Sequence, residues 1–135
     1  MRDSVLGMAS TEPLIQIPGA RLRLPENLTD RDLLVKYFRA LGNPTRLAIL
    51  ELLREHSELN VQDLVERVGS TQPQVSNHLA CLRWCGFVTT RREHRAIYYR
   101  LADERVDRVL ELARSLLTDN AEHVAACRVI DGKRR

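Results

Sequence analysis

Long apolar runs and cysteines are both scarce in this sequence. No apolar run approaches the roughly 20 residues of a membrane-spanning helix, and the N-terminus has no continuous hydrophobic segment of the signal-peptide kind. Only 3 of the 135 residues are cysteine, and none lies before position 81. We therefore expect a cytoplasmic protein without a membrane partner, whose thiols stay reduced and available as ligands or sensors rather than as disulfides.

The residue patterns of an enzyme are also missing. The sequence has no glycine-rich phosphate loop, no nucleophile–base constellation and no pair of carboxylates in a plausible cleft. Its 44% of hydrophobic residues and 29% of charged residues are ordinary for one globular domain with tails. The net charge of +3 weakly favours a polyanionic partner. We expect a binding protein rather than an enzyme.

Composition divides the chain into three parts. Residues 1–27 include Pro13, Pro18 and Pro25 and keep no helical or alternating period, which predicts an N-terminal arm. Residues 28–126 show helical and strand periodicity and are predicted to form the folded domain. Residues 127–135 are predicted to be a short basic tail.

Apolar periodicity and capping residues predict a mainly α fold with one β-hairpin, in the order α-α-α-α-β-β-α. The second helix is expected to bury Leu47, Leu50 and Leu53, with Ile49 at the edge. The predicted helices are 30–41, 44–56, 61–68, 72–85 and 103–126, and the predicted strands are 87–92 and 96–101.

The third and fourth helices have the spacing of a helix-turn-helix, because only the tight break 69–71 separates them. The fourth would be the recognition helix. All-helical domains also contain such corners without binding DNA, so this spacing alone leaves the function open. A basic hairpin follows the fourth helix directly, as the wing of a winged helix-turn-helix does. This position favours a wing that contacts DNA over a charged hairpin that only faces solvent. Its candidate phosphate or minor-groove contacts are Arg91, Arg92 and Arg95.

The recognition helix has three different faces at about 100° per residue. Val75, Leu79 and Leu82 are predicted to face the core, and the opposite side is small and polar, which suits a major groove. The flank between them includes Cys81 and Cys85, one turn apart, whose sulfurs can meet on a single ion. The alternative to metal binding is that both cysteines pack in the core as small apolar groups. The candidate contacts with bases or nearby phosphates are Gln74, Ser76, Asn77 and His78.

An apolar stripe along the final helix has little left to cover inside so small a domain. We therefore predict a homodimer in which this helix and the first helix pair with a second copy. Two recognition helices would then match a two-fold symmetric, double-stranded operator DNA.

Four segments resemble the ArsR/SmtB family of metal-responsive winged-helix repressors: RALGNPTRLAILELL, VQDLVERVG, QPQVSNHLACLRWCGFV and IYYRLAD. The resemblance covers about residues 32–123. It implies a dimer that represses its operator when metal-free and loses DNA affinity when metal binds.

Members of this family hold metal in different places, and one pattern fits here. The third-helix segment 59–64 has no cysteine, Arg105 stands where the zinc sensors have histidine, and the arm has no thiol. The CmtR-like cadmium/lead sensors instead have two cysteines four apart in the recognition helix and a third in the tail. Cys81, Cys85 and Cys127 match those positions, so the resemblance implies a site made of these three.

Three thiolates select a soft, thiophilic divalent ion such as Hg, Cd or Pb as the effector. His78 and His123 each lie one turn before a cysteine, and the sequence leaves open whether either joins the site. A repressor of this family that responds to thiol oxidation, or senses no metal, is the alternative.

Overall fold

The computed structural model of the protein describes residues 27–132. The predicted N-terminal arm therefore falls, apart from Asn27, outside the described residues, as do residues 133–135 of the tail. The chain divides into two compact units, with the boundary between Ala102 and Asp103.

Within residues 27–102 the first unit contains four helices, and a polar side chain caps each of them. Their bounds are α1 Asp30–Leu41, α2 Pro44–His56, α3 Val61–Val68 and α4 Gln72–Trp84. Thr29 and Asp32 exchange side chain–backbone hydrogen bonds at the start of α1, which satisfies N–H groups that lack helical partners. Asn43, Asn60 and Thr71 cap the other three helices. These caps explain why the predicted bounds agree with the observed ones to within one residue.

The sheet of the first unit has three antiparallel strands in the order β1-β3-β2. The hairpin strands β2 Val88–Glu93 and β3 Ala96–Leu101 confirm the predicted wing. The additional strand β1, Leu59–Asn60, pairs with β3 through Leu59↔Tyr99 and Asn60↔Tyr98. Two residues are too few to show an alternating pattern, so the sequence could not indicate this strand.

The core of the first unit lies between α2, α3, α4 and the start of the hairpin. Its fully buried side chains are Ile49, Leu50, Leu53, Leu64, Val75, Leu79, Leu82, Phe87 and Val88. The prediction for α2 was wrong at one turn, because Ile49 is fully buried and Leu47 only half-buried. Helical periodicity locates the apolar stripe, but neighbouring elements decide which edge of the stripe they cover.

The second unit contains α5, Glu104–Ala126, which Asp103 caps. Val106 and Leu110 are buried, whereas Leu112 and Leu116 are 62% and 59% exposed. No helix among residues 27–132 is long and apolar enough to cross a membrane.

Candidate nucleic-acid interface and thiol pair

The structure gives α4 the three faces predicted from its sequence. Val75, Leu79 and Leu82 are at most 1% exposed and anchor the helix in the core. The opposite side is exposed and consists of small or polar residues, including Ser76 and Asn77. This exposed side is the candidate surface for reading base edges, because a small polar helix face can enter the major groove closely.

Gln74 and His78 lie on the flank between those faces and already have partners inside the protein. The Gln74 side-chain oxygen accepts a hydrogen bond of 2.5 Å from the Ser70 hydroxyl at the exposed N-terminal end of α4. His78 is half-buried, and its Nδ1 lies 3.3 Å from a terminal nitrogen of the Arg46 guanidinium. The sequence predicts that both residues lie on this flank of α4 but gives no sign of these contacts.

Cys81 and Cys85 lie on the last turn of the same flank. The Cys85 N–H donates to the Cys81 carbonyl oxygen at 3.0 Å, which makes Cys85 the C-cap of α4. The chain then turns through Gly86 at φ 86°, a left-handed conformation in which glycine avoids a Cβ clash. The Phe87 N–H closes the turn on the Leu82 carbonyl at 2.9 Å. The helix end therefore fixes Cys85 one turn beyond Cys81.

Both thiols are half-buried, and each lies within electrostatic range of the other. Burial is the main cause that raises the pKa of the Cys85 thiol, and the neighbouring Cys81 raises it further. Arg46 and Lys36 oppose both effects, because a cation favours the thiolate. Two thiols one helical turn apart, with cations in electrostatic range, form a suitable pair of ligands for a soft metal ion.

Arg46 is the main residue of this region that sequence reasoning missed. Its Nε donates to the Ala40 carbonyl at 2.7 Å, and a terminal nitrogen donates to the Arg39 carbonyl at 3.3 Å. The other terminal nitrogen contacts His78. One guanidinium thus joins the C-terminal end of α1 to the recognition helix. Arg46 and His78 are 32 residues apart in sequence, and no local pattern predicts such a contact.

The three wing arginines differ in their surroundings. Arg91 makes two hydrogen bonds of 2.8 and 2.9 Å to the Glu58 carboxylate and one of 2.8 Å to Glu93. It also lies over the Tyr98 ring at 4.9 Å. Arg92 and Arg95 are exposed and have no hydrogen bond or ion pair within the described part of the chain. They are the wing arginines whose charge is available to a partner.

Cys127 is the half-buried C-cap residue of α5 and belongs to the second unit. His123 lies in the last turn of α5, as the sequence predicted. Across residues 27–132, the structure contains no group of three or more His, Cys, Asp or Glu side chains that could hold a metal ion. The three-cysteine site thus stays a prediction.

These features define a winged helix-turn-helix protein. Comparisons with known proteins identify the family: residues 43–90 match the model of the arsR family of bacterial regulatory proteins. A probable mercury resistance operon repressor from Streptomyces lividans is 40% identical over 105 residues, covering 78% of this chain and 83% of that relative. The transcriptional regulator CmtR from Mycobacterium bovis is 39% identical over 102 residues, covering 74% and 86% of the two chains.

A solved structure agrees with this assignment. It is a homodimeric winged helix-turn-helix DNA-binding domain from Mycobacterium bovis, with a TM-score of 0.63 and 33% identity. The match covers 71% of this chain and 93% of that one. The chain belongs to the ArsR family and is a transcriptional regulator rather than an enzyme.

Proposed function

We propose that this chain is a metal-sensing transcriptional repressor. It binds operator DNA as a homodimer when metal-free, and a soft thiophilic ion held by Cys81, Cys85 and Cys127 releases it. The single observation that most supports this proposal is the pair of half-buried thiols, one turn apart, at the C-terminal end of the recognition helix. Any ion bound there acts directly on the element that reads the operator.

The candidate DNA surface has two parts. The exposed side of α4 presents Ser76 and Asn77 for base edges, with Gln74 and His78 on the adjoining flank. The hairpin adds Arg92 and Arg95 for phosphates, and we retain Arg91 as a third candidate despite its contacts with Glu58. The solved Mycobacterium bovis structure, a DNA-binding winged helix-turn-helix domain, supports a DNA-binding role for this surface.

Two separate apolar surfaces support a homodimer. Leu34 and Phe38 on α1 are 52% and 58% exposed, and Leu112 and Leu116 on α5 are exposed to a similar degree. Exposed apolar surface of this extent is typical of protein–protein contacts. A second copy is the partner proposed for both helices, and the homodimeric relative supports it.

The chemistry of the thiols favours Hg(II), Cd(II) or Pb(II) as the effector. Thiolates are soft ligands, and a metal binds them only after their protons leave. Burial favours the protonated form of Cys85, so binding should release protons and strengthen as pH rises. The relative in the Streptomyces lividans mercury resistance operon supports a soft metal without deciding which one.

Thiol oxidation is the second candidate signal, because Cys81 and Cys85 lie one helical turn apart. Two arguments make it weaker. Redox-sensing thiols have a lowered pKa, whereas the pKa of Cys85 is raised. Two cysteines one helical turn apart are also poorly placed for an unstrained disulfide.

Cys127 would connect the recognition helix to the dimer helix α5 when it joins the other two cysteines on one ion. The two recognition helices of the dimer would then be held in a geometry that the operator does not match. A coupling of roughly 1–3 kcal/mol would weaken DNA binding about 5- to 150-fold.

The test is a titration of the protein with Cd(II), Pb(II) and Hg(II) in the presence of labelled DNA from upstream of its own gene. We expect the wild type to release the DNA, with an ultraviolet thiolate-to-metal absorption and one ion for every three thiols. The only tryptophan, Trp84, precedes Cys85 and is 39% exposed, so its fluorescence should report binding. Cys81→Ser should bind DNA as the wild type does and should no longer respond to metal.

A matched pair of variants tests the role of Cys127. Ala126→Ser places a hydroxyl beside Cys127 and should keep the full response, whereas Cys127→Ser should reduce it. Equal release of DNA from the wild type and Cys81→Ser would contradict the metal proposal. Release by peroxide, reversed by dithiothreitol in the presence of a chelator, would instead support thiol oxidation.

A further inference from the structure

Two arginine–histidine contacts in the first unit involve different ring nitrogens of the histidine. Arg46 lies 3.3 Å from Nδ1 of His78 on α4. Arg67 on α3 lies 3.2 Å from Nε2 of His56 at the end of α2. A guanidinium has only donors, so the ring nitrogen that it contacts must be the unprotonated acceptor. The geometry therefore assigns the proton of His78 to Nε2. In His56 the nitrogen that contacts Arg67 also lies 3.8 Å from a Glu55 carboxylate oxygen, so this ring has two competing partners and serves as a comparison.

We propose that Arg46 is a positioning residue for DNA recognition, because it fixes His78 as a neutral ring whose Nε2–H is a hydrogen-bond donor directed away from the guanidinium. The proposal rests on the DNA-binding part of the function proposed above. It adds a residue of α2, outside the recognition helix and the wing, to those that determine how the operator is read.

The other contacts of Arg46 make it a rigid support for the ring. Its Nε and second terminal nitrogen bind the Ala40 and Arg39 carbonyls, where the last turn of α1 leaves C=O groups without helical partners. Its backbone N–H is held by the Asn43 side chain at the start of α2. Three donors of one planar group are thus used together, which a lysine ammonium cannot reproduce.

A ring held in this state presents one kind of group to DNA. Its Nε2–H can donate to guanine O6 or N7, to adenine N7 or to a phosphate oxygen, but it cannot accept from a base amino group. Burial and then the charge of Arg46 lower the pKa of His78, which agrees with a neutral ring at neutral pH. A protonated ring would present two donors and would lose its contact with Arg46.

The ring state can be measured without DNA by long-range ¹H–¹⁵N correlation NMR of the histidine side chains. His78→Gln and His56→Gln identify which of the four histidine signals belong to these rings. In the wild type we expect the Nε2–H form for His78. Arg46→Met should leave His78 populating both forms and His56 unchanged, whereas Arg67→Met should leave His78 unchanged. A protonated or Nδ1–H His78 in the wild type would overturn the proposal.

Operator affinity then tests the consequence for recognition. If Arg46→Met leaves about a tenth of the protein with the ring in the state that binds DNA, operator binding should weaken about tenfold, while Arg67→Met binds as the wild type does. In a His78→Gln background the further loss from Arg46→Met should be much smaller, because contacting residues are not additive. Arg46→Lys keeps a cation and guards against misfolding, and we expect it to lose affinity and the fixed tautomer together.

The outcomes separate this inference from the function on which it rests. Equal losses from Arg46→Met with and without His78 would show that Arg46 does not act through the ring, and would overturn the inference alone. A wild type that binds no promoter DNA would refute the proposed function and, with it, the role of Arg46 in recognition.

Discussion

The recognition helix α4 and the hairpin β2–β3 use their side chains in different ways. In α4 every face has a use: one side is buried in the core, one is exposed, and the flank contains His78, Cys81 and Cys85. In the hairpin the uses are divided among residues, since Arg91 is held by Glu58 while Arg92 and Arg95 have no such contact. Substitutions in α4 should therefore affect stability, DNA binding or the metal response, depending on the face they change. Substitutions in the hairpin should change DNA binding without changing stability.

The largest effect should come from the buried face of α4. Leu79 is 1% exposed, and Leu79→Ala should lower the free energy of unfolding by about 2–5 kcal/mol, because it removes apolar contacts and leaves a cavity. Urea unfolding at one fixed protein concentration measures this, since a dimer's stability depends on concentration. Gln72→Ala, at the exposed first turn, should change stability by less than about 0.5 kcal/mol. Similar losses from both variants would mean that α4 is not anchored as described.

A hairpin substitution should change DNA binding without changing stability. Arg92 is exposed, and Arg92→Ala should weaken binding to all DNA sequences and reduce the slope of log affinity against log salt by about 0.9. Arg91→Ala should change that slope less, because its guanidinium already binds two carboxylates. Fluorescence anisotropy at several salt concentrations measures both slopes. Equal reductions would show that Arg91 leaves Glu58 to contact phosphate.

The sequence predicts features of α4 and the hairpin that depend on nearby residues. Thr71 and Gly86 mark the two ends of the recognition-helix segment, and helical periodicity separates its core face from its exposed face. The resemblance to the ArsR family was confirmed as well. These signals lie within one or two helical turns, where a residue's type limits its conformation.

Contacts between distant segments could not be predicted in the same way. Arg91 and Glu58 are 33 residues apart, and an exposed arginine and glutamate have many alternative partners in any charged sequence. Strand β1 exists because β3 supplies its hydrogen bonds, and its two residues have no pattern of their own. The same applies to Arg46, whose position in the first turn of α2 gives no sign that it contacts α4.

The smallest effect should be a loosening of the hairpin in acid. Hydrogen bonds from Arg91 are the main cause that lowers the pKa of Glu58 below its ordinary value of 4.5, and the charges of Arg91 and Arg100 add to this. Because the folded pKa is lowered, the contact stabilises the hairpin above the ordinary pKa of Glu. This stabilisation is lost as pH falls from 4.5 through the lower folded value.

NMR titration of the backbone amides tests this effect. The amides around Arg91 and Tyr98 should shift as Glu58 takes up its proton, and Glu58→Gln should abolish that shift. Helix α4 contains no carboxylate, and any shift of its amides from protonation of His78 should be the same in the wild type and in Glu58→Gln. Suppose instead that the α4 amides shift with the Glu58 transition in the wild type and do not shift in Glu58→Gln. The two elements would then be coupled through the Glu58 contact. The hairpin and the recognition helix would then not respond independently to substitution.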